Sequence, residues 1–369
     1  MNFFLISNSS LSILNSKSMK RYSLLLKKTL NQKDIKAKIL TPNIICNQLS
    51  FKSSLIKKYL GYIDNYLIFG LYLFFKIKKN DCVHICDQAN SLLYFFIRSK
   101  KIAITCHDVV NMNLKFKKNL KKLKLGGRLF QILILFGLKQ YRNIICVSNK
   151  TKKELSKLIN IKNKNVKVIY NAISHDFFPM DIKTRKAILK NKKINYKYFL
   201  HVGGHNWYKN KTGLIQIFYE FNKLKKKENY KLILAGAKLP NYLNEKIQKL
   251  KLKNSIINLI NLNNKSICAL YSGAEALIFP SIAEGFGWPI IEAQACGCPV
   301  FTSKISPMTE VGKDSVFYIN PKDEISCSKI INKNINCRKI IIKKGYKNLQ
   351  RFNFNSISKK YLSFYNKNL

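Results

Sequence analysis

Short apolar runs along the chain alternate with longer segments in which apolar residues recur among lysines and arginines. A short apolar run bounded by polar residues predicts a buried strand, and the interleaved pattern predicts a helix. In the first half, the predicted strands are Asn2–Ser7, Lys36–Leu40, Cys82–Cys86, Ile102–Cys106, Asn143–Val147 and Val166–Tyr170. Strands separated by helices are typical of a parallel, doubly wound α/β sheet.

The same alternation starts again in the second half of the chain. The predicted strands there are Tyr198–Val202, Leu232–Gly236, Ser255–Leu259, Ala276–Phe279, one that starts at Pro299–Phe301, and Asp314–Asn320. A chain of 369 residues is long for one core, so we expect two domains. The polar, basic stretch from Ser174 to Asn195 is the predicted linker region. We place the domains at residues 1–178 and 179–344, followed by a helical tail at 345–369.

The most informative stretch runs from Pro280 to Val300 and predicts a strand end, a glycine-containing turn, a helix and a new strand. Pro289 suits the first position of the helix, because its ring fixes a helical φ. Glu284 lies in the turn and Glu292 in the predicted first turn of the helix. Carboxylates accept hydrogen bonds from the vicinal hydroxyls of sugars and ribose, and loop amides bind phosphate. The alternative is that both acids only complement the helix dipole.

This stretch resembles the Glu-Gly-Phe-Gly-x-Pro-x-x-Glu signature of the retaining glycosyltransferases of family 4. The resemblance implies a GT-B fold, in which two Rossmann-like domains face each other across a cleft. It also implies that the C-terminal helix, within residues 345–369, crosses back to the first domain. The implied reaction moves a hexosyl group from a nucleotide-diphosphate sugar with retention of configuration.

By the same resemblance, the second domain binds the donor. Glu292 is expected to bind the ribose, Glu284 the donor sugar, and the backbone of Gly285, Phe286 and Gly287 the diphosphate. Gly203 and Gly204 begin a second donor loop, in which Lys209 matches the family's lysine and offsets charge on the leaving diphosphate. Tyr208 stands where the family often has an arginine. Either Tyr208 donates a hydrogen bond in its place, or His205, Lys211 or another base supplies the charge.

The first domain offers a His-Asp pair where the strand Ile102–Cys106 ends. By resemblance, His107 is the histidine that reaches the donor sugar near its reacting carbon, and Asp108 positions it. The alternative is a helix start capped by Asp108. The loop after the first strand, Asn8–Ser12, has no glycine, unlike many family members. Ala172 likewise replaces the glycine of the family's Asn-Gly-Val turn.

The formal net charge of +49 is extreme. It is consistent with nucleic-acid binding, with attraction to an anionic membrane, or with compositional drift, since Lys, Asn and Ile share AT-rich codons. The lysines are spread along the chain, and no nucleic-acid-binding motif occurs, so we expect no nucleic-acid partner. Two segments, Phe51–Lys79 and Leu120–Arg142, combine apolar runs with lysines. They are either buried helices or a basic, aromatic surface that contacts lipid headgroups.

The ten cysteines form no metal-binding pattern. Cys82, His84 and Cys86 share one face of a strand but lack a fourth ligand, and the Cys296–Cys298 pair has no partner pair. We therefore expect reduced thiols, no metal and no cofactor. No charged leader precedes the first strand, and the longest apolar run is about half of what spans a bilayer. A cytoplasmic protein without a transmembrane helix is predicted.

The sequence thus predicts a metal-independent, retaining hexosyltransferase. Its expected partners are a nucleotide-sugar donor, a glycan or lipid-linked acceptor, and an anionic surface on the inner face of the membrane. The expected pathway is cell-surface polysaccharide or lipopolysaccharide synthesis. Two alternatives stay open: a nucleotide-sugar 2-epimerase of the same fold, and a nonenzymatic basic protein that binds nucleic acid.

Overall fold

The computed structural model describes residues 2–8, 17–43, 45–46, 54–112, 125–225 and 228–369. The chain divides into two compact units. The first contains Met1–Ala172 together with Phe354–Leu369, and the second contains Ile173–Asn353. Each unit is built on a parallel sheet flanked by helices, as the alternation of strand and helix patterns predicts.

In the described part of the first unit, six parallel strands lie in the order β2-β1-β3-β4-β5-β6. They are β1 (Phe3–Ile6), β2 (Ala37–Leu40), β3 (Cys82–Ile85), β4 (Ile102–Cys106), β5 (Asn143–Cys146) and β6 (Asn165–Val168). The α-helices are Lys17–Asn31, Ser54–Tyr62, Phe69–Lys76, Leu125–Gln140, Asn149–Leu155 and Phe354–Asn368. A π-helical segment, Ile63–Ile68, joins the second and third of these helices, and a 3₁₀ segment covers Gln88–Phe96.

In the described part of the second unit, six parallel strands lie in the order β12-β11-β10-β7-β8-β9. They are β7 (Tyr198–Gly203), β8 (Lys231–Gly236), β9 (Ile256–Ile260), β10 (Ala276–Phe279), β11 (Val300–Ser303) and β12 (Phe317–Ile319). The α-helices are Ile182–Asn191, Lys211–Leu224, Asn241–Lys249, Asn264–Gly273, Trp288–Ala295, Met308–Gly312, Glu324–Asn334 and Arg338–Leu349.

The strands read as continuous apolar runs because helices cover both faces of each sheet. Side chains alternate between the faces, so Phe4 and Ile6 of β1 enter one core and Phe3 and Leu5 enter the other. The predicted strand Asp314–Asn320 is shorter in the structure, where only Phe317–Ile319 pairs with β11.

The C-terminal helix Phe354–Asn368 packs on the first unit, as the fold class predicts. The Tyr361 hydroxyl lies 2.8 Å from that of Tyr22, and the Tyr365 hydroxyl lies 3.0 Å from Nδ1 of His84. Thr29 and Ser358 add a buried hydroxyl contact of 2.9 Å. These bonds join the last helix to a helix and a strand from the first half of the chain.

The unit boundaries differ from the predicted ones. The first unit ends at Ala172 rather than 178, because Phe177 packs on Tyr271 and the Phe178 carbonyl accepts from Cys268. The returning segment begins at Phe354 rather than 345. Asn348 explains this shift, since its amide donates to Gln294 and to the Val311 carbonyl and so holds the preceding helix on the second unit.

Some predicted features reach beyond the described residues. Of the loop Asn8–Ser12, only Asn8 is described. Residues 51–53 at the start of one apolar, lysine-containing segment, and residues 120–124 at the start of the other, with Lys121, Lys122 and Lys124, also fall outside.

Candidate active site

The order of the second sheet reverses at β7, which has β8 on one side and β10 on the other. In open α/β sheets, ligands bind at this position, outside the carboxyl ends of the strands. The loops that follow β7 and β10 are the two predicted donor loops. They are joined by a hydrogen bond of 2.8 Å from the Ile282 amide to the Tyr208 carbonyl. Both loops therefore lie at the place where the fold favours a ligand.

Lys209 and Glu284 form an ion pair between these loops. Lys209 Nζ donates to Glu284 Oε1 at 2.7 Å, and Glu284 is buried. The ammonium also lies 5.1 Å from the ring centre of Phe279, the last residue of β10. The structure thus brings together two residues that the sequence assigned to donor chemistry. Because Glu284 is buried while Lys209 is only partly buried, the carboxylate depends on this ammonium for its counter-charge.

The turn after β10 leads directly into the helix Trp288–Ala295. Gly287 precedes this helix with φ 106°, a conformation that favours glycine, and Pro289 lies in the first turn. Phe286 is buried edge-on against Trp288 and Phe352, which fixes the turn. Pro289 has no N–H, and the Ile290 amide donates to the Gly287 carbonyl at 3.0 Å. Gly285, Phe286 and Gly287 therefore precede a helix N-terminus at which the dipole, rather than a set of open amides, favours an anion.

Glu292 lies just beyond the first turn of this helix, and not within it as the sequence suggested, because the helix begins at Trp288, one residue earlier than predicted. The side chain is buried, and its Oε2 accepts from the Tyr271 hydroxyl at 3.2 Å. Burial, followed by the charge of Glu292, raises the pKa of Tyr271, so this tyrosine stays a donor. A role limited to the helix dipole does not account for a buried acid at this depth.

Gly203 ends β7 directly beside Gly236, the last residue of β8. Gly236 has φ 153°, and a Cβ at that position would collide with the Gly203 carbonyl. A Cβ on Gly204 would meet no described atom within 4 Å. Glycine is therefore required at Gly236 for close strand packing, while at Gly204 it leaves the backbone open to the loop.

Two residues of this site were not assigned a firm role from the sequence. His201 on β7 is fully buried, and burial lowers its pKa to about 3. Its Nδ1 lies 3.0 Å from the Ile278 carbonyl, whereas its Nε2 has no partner within the described part of the chain. Lys211 is the first residue of the helix Lys211–Leu224 and is 4% exposed. Burial and the charge of Lys209 lower its pKa to about 8.

His107 follows β4 in the first unit and is buried. Its Nε2 lies 2.8 Å from the Cys86 carbonyl, its amide donates to Gln88, and its ring packs edge-on against Tyr22. Burial lowers its pKa, so the imidazole is neutral at pH 7. Asp108 accepts from the amide of Val110 at 3.2 Å, which is an Asx turn rather than the start of a described helix.

The described residues contain no group of three or more His, Cys, Asp or Glu arranged to hold a metal ion. His84, which shares β3 with Cys82 and lies two residues before Cys86, uses both ring nitrogens in contacts with Thr105 and Tyr365. In the same part of the chain, no helix combines the length and the apolar character needed to cross a bilayer.

Two parallel α/β units, a C-terminal helix that returns to the first, and a charged site at the strand ends of the second define a GT-B fold. The chain belongs to the family 4, or group 1, glycosyltransferases. The profile of "Glycosyltransferase Family 4" matches residues 20–177, and that of "Glycosyl transferases group 1" matches residues 183–350. Both units are therefore assigned to the family.

Similar proteins include the O-antigen chain mannosyltransferase RfbU of Salmonella typhimurium. It is 29% identical over 301 residues, which is 81% of this chain and 76% of the relative. The O-antigen chain mannosyltransferase B of Escherichia coli is 28% identical over 183 residues, about half of each chain (49% and 48%).

Two solved structures share the fold over 98% of both chains. Anabaena HepE, in complex with UDP and glucose, superposes with a TM-score of 0.74 at 16% identity. WaaG, a glycosyltransferase involved in lipopolysaccharide biosynthesis, superposes with a TM-score of 0.73 at 12% identity. At these identities, the likeness establishes the fold alone.

Proposed function

We propose that this protein is a retaining glycosyltransferase that moves a hexosyl group from a nucleotide-diphosphate sugar to a glycan or lipid-linked acceptor. The observation that carries the proposal is the Lys209–Glu284 pair, held between two donor loops at the point where the sheet order reverses. The O-antigen mannosyltransferases among its relatives support a role in cell-surface polysaccharide or lipopolysaccharide synthesis and make mannosyl the first sugar to test.

Each side chain has a proposed role in binding the donor. Glu292, held by Tyr271, accepts from the ribose hydroxyls, and the amides around Phe286 and Gly287 bind the diphosphate. Lys209 offsets the charge that develops on the leaving diphosphate, and Glu284 orients both this lysine and the donor sugar. By the family resemblance, His107 has the proposed role of contacting the donor sugar as a neutral imidazole.

Retention is proposed to follow a front-face route. The acceptor oxygen attacks on the side from which the diphosphate leaves, and the leaving phosphate takes the acceptor's proton. A double displacement instead needs a carboxylate close to the anomeric carbon. Asp108 is the candidate for that role, yet it already accepts from the backbone amide of Val110. No metal or cofactor enters this scheme, so chelators are expected to leave activity unchanged.

A lipid-linked acceptor is favoured by an exposed apolar face on the first unit. Along the helical stretch 54–76, large exposed side chains recur every three or four residues, and Phe75 is 80% exposed. A second set lies on the helix Leu125–Gln140. The two helices are in contact through the rings of Tyr62 and Phe130, whose centres are 5.1 Å apart. This apolar face consists of Ile56, Tyr59, Ile63, Leu67, Leu71, Phe75, Leu129, Ile132 and Phe136.

The charges around the apolar face favour an anionic lipid surface. Among the described residues from 54 to 100, every exposed charged side chain is basic, whereas Asp64, Asp81 and Asp87 are buried. Each basic residue close to an anionic bilayer contributes about 1 kcal/mol of attraction. The exposed basic side chains are Lys57, Lys58, Lys76, Lys78, Lys79, Arg98 and Lys100. We propose that this face lies on the inner, cytoplasmic leaflet, which also suits ten free cysteines.

Liposome co-sedimentation tests the membrane contact. The protein should bind vesicles that contain phosphatidylglycerol more tightly than neutral vesicles, and Phe75→Ser with Leu71→Ser should weaken that binding. Equal binding to both kinds of vesicle would refute the contact. The matched control is Ile340→Ser, an exposed apolar residue of the second unit.

The donor proposal is tested by thermal stabilisation with UDP, GDP, ADP and their sugar conjugates at matched salt. One nucleotide should stabilise the protein, and Glu292→Ala should abolish the shift. Adding an acceptor extract should then release nucleoside diphosphate. A nucleotide sugar that changes without any acceptor would indicate an epimerase. Binding of an oligonucleotide, with no shift for any nucleotide sugar, would refute the proposal.

A further inference from the structure

The donor site needs positive charge that Lys209 alone does not supply. A nucleoside diphosphate is an anion, and its charge grows as the glycosidic bond breaks. The charge of Lys209 is already balanced by Glu284, whose oxygen lies 2.7 Å from Nζ. The pair is therefore close to neutral as a unit, and a second cation must complete the site.

Two of the three residues that could replace the missing arginine are poor candidates. Tyr208 is an uncharged phenol, and its hydroxyl accepts from the Asn206 side chain at 2.7 Å. Burial and the neighbouring charge of Lys211 lower the pKa of His205, so its imidazole is neutral at pH 7. Lys211 remains as the base that carries charge.

Lys211 is in an unusual setting for a lysine. It is 4% exposed, and Nζ donates to the Gly203 carbonyl at 2.9 Å and lies 3.3 Å from His205 Nδ1. Within the described residues, no carboxylate lies within 4.0 Å of this ammonium. It also occupies the first position of a helix, where the dipole disfavours a cation. A buried cation without a counter-ion is costly unless a ligand supplies the opposite charge.

The geometry around Gly203 indicates that an anion completes this setting. Cδ and Cε of Lys209 lie 3.7 Å from the point where a Cβ on Gly203 would stand, and Lys211 binds the carbonyl of the same residue. His201 Nε2 lies 3.6 Å from that point, and no described group satisfies it. A buried polar atom of this kind requires a partner, such as a ligand hydroxyl or a water molecule. Both lysines and this histidine therefore meet at one glycine of the donor loop.

We propose that Lys211 is the second cation of the diphosphate site and takes the place of the arginine that Tyr208 replaces. Its ammonium neutralises the nucleoside diphosphate together with the amides of the glycine turn. The inference rests on the proposed nucleotide-sugar function and adds to it a residue outside the signature positions. Its counter-charge arrives with the donor, which explains why the protein tolerates the buried lysine.

Isothermal titration with the nucleoside diphosphate that stabilises the wild type tests this role. Lys211→Met should weaken binding on the order of 10- to 100-fold, the range for losing a hydrogen bond to a charged group. Binding of the parent nucleoside should stay within about twofold, and Lys211→Arg should restore most of the affinity. The control is Lys231→Met, since Lys231 also donates to a backbone carbonyl, that of Asn254, but lies at the opposite end of its strand.

Three outcomes separate the possibilities. If Lys211→Met binds the diphosphate like the wild type, the inference is wrong while the proposed function stands. If the variant melts at a lower temperature without ligand and loses nucleoside and diphosphate equally, Lys211 is a clamp for the Gly203 loop and not an anion ligand. If the wild type itself binds no nucleoside diphosphate, the proposed function fails first.

Discussion

Each unit buries one histidine on a strand beside the point where its sheet order reverses, and the two histidines differ in what surrounds them. His84 on β3 and His201 on β7 are both fully buried, and burial lowers the pKa of each to about 3. Both ring nitrogens of His84 have partners, Thr105 at 2.8 Å and Tyr365 at 3.0 Å. His201 has the Ile278 carbonyl at one nitrogen and, among the described residues, none at the other.

The difference shows how one fold serves two purposes. In the first unit, the C-terminal helix supplies the tyrosines that complete a neutral network of hydroxyls and imidazole. In the second unit, Lys209, Glu284 and Lys211 lie around the strand ends beside His201, and its Nε2 has no partner among the described residues. A polar network completed by the chain stabilises the fold, whereas one left incomplete at the strand ends is suited to a ligand.

The largest effect is expected for the charged site of the second unit, where Glu284 pairs with Lys209. Glu284→Gln should lower turnover by about 100- to 1,000-fold, the loss typical when a group that stabilises the transition state is removed. Affinity for the nucleoside diphosphate should stay equal or rise, because Lys209 then lacks its counter-ion. Steady-state kinetics and isothermal titration measure the two quantities.

The matched control for this change is Glu228→Gln, which removes a half-buried acid that pairs with Lys197 and Lys225. This variant should keep wild-type turnover. Full turnover in Glu284→Gln would show that the ion pair has no part in the reaction and would remove the main support for the donor site.

An intermediate effect, on stability, is expected in the first unit, where the chain satisfies both ring nitrogens of His84. Tyr365→Phe removes the hydroxyl that lies 3.0 Å from His84 Nδ1 and leaves a buried nitrogen without a partner. The free energy of unfolding should fall by about 1–3 kcal/mol. Chemical denaturation measures this loss, and nucleotide affinity should not change.

The exposed Tyr242 is the control, because Tyr242→Phe should leave the free energy of unfolding unchanged. Equal stability of Tyr365→Phe and wild type would mean that the His84 network does not fasten the C-terminal helix. The contrast between a polar network that the chain completes around His84 and one that it leaves incomplete around His201 would then no longer hold.

The sequence predicts those parts of the fold and of the site that depend on a short, continuous stretch of residues. The run from Pro280 to Val300 carries its strand, turn and helix within one short stretch, so the fold and the family followed from it. Glu292 is expected in the first turn but follows it, because the helix begins at Trp288 and not at Pro289. This shift of one residue moves Glu292 from the fourth helical position to the fifth, and sequence patterns do not fix a helix start that finely. The domain boundaries depended on tertiary contacts of Phe177 and Asn348, which no local pattern reveals.

The special status of Lys211 could not be predicted in a chain with 67 lysines and arginines. Its burial results from the contact of β7 with the start of the next helix. That no described carboxylate pairs with it depends on its three-dimensional surroundings, which no local sequence pattern reveals. The one available signal was its position directly after Asn210, which caps the helix and so places a lysine where the dipole disfavours it. His201 gave no signal, since a histidine within an apolar strand is indistinguishable from a core residue.

The smallest expected effect is a pH dependence of nucleoside diphosphate affinity, which we assign to Lys211 in the second unit. Burial and Lys209 lower the pKa of Lys211 to about 8, so the ligand-free protein loses this proton as the pH rises through 8. A bound diphosphate favours the charged form, so binding must take the proton up again and affinity should fall by up to about tenfold per pH unit above 8. Nucleotide phosphates are already deprotonated at that pH and contribute no slope.

Titrations between pH 7.5 and 9.5 should show the fall in affinity in the wild type and a flat profile in Lys211→Met. Parallel profiles for the two proteins would assign the titration to another group and would leave Lys211 without a role in binding the anion.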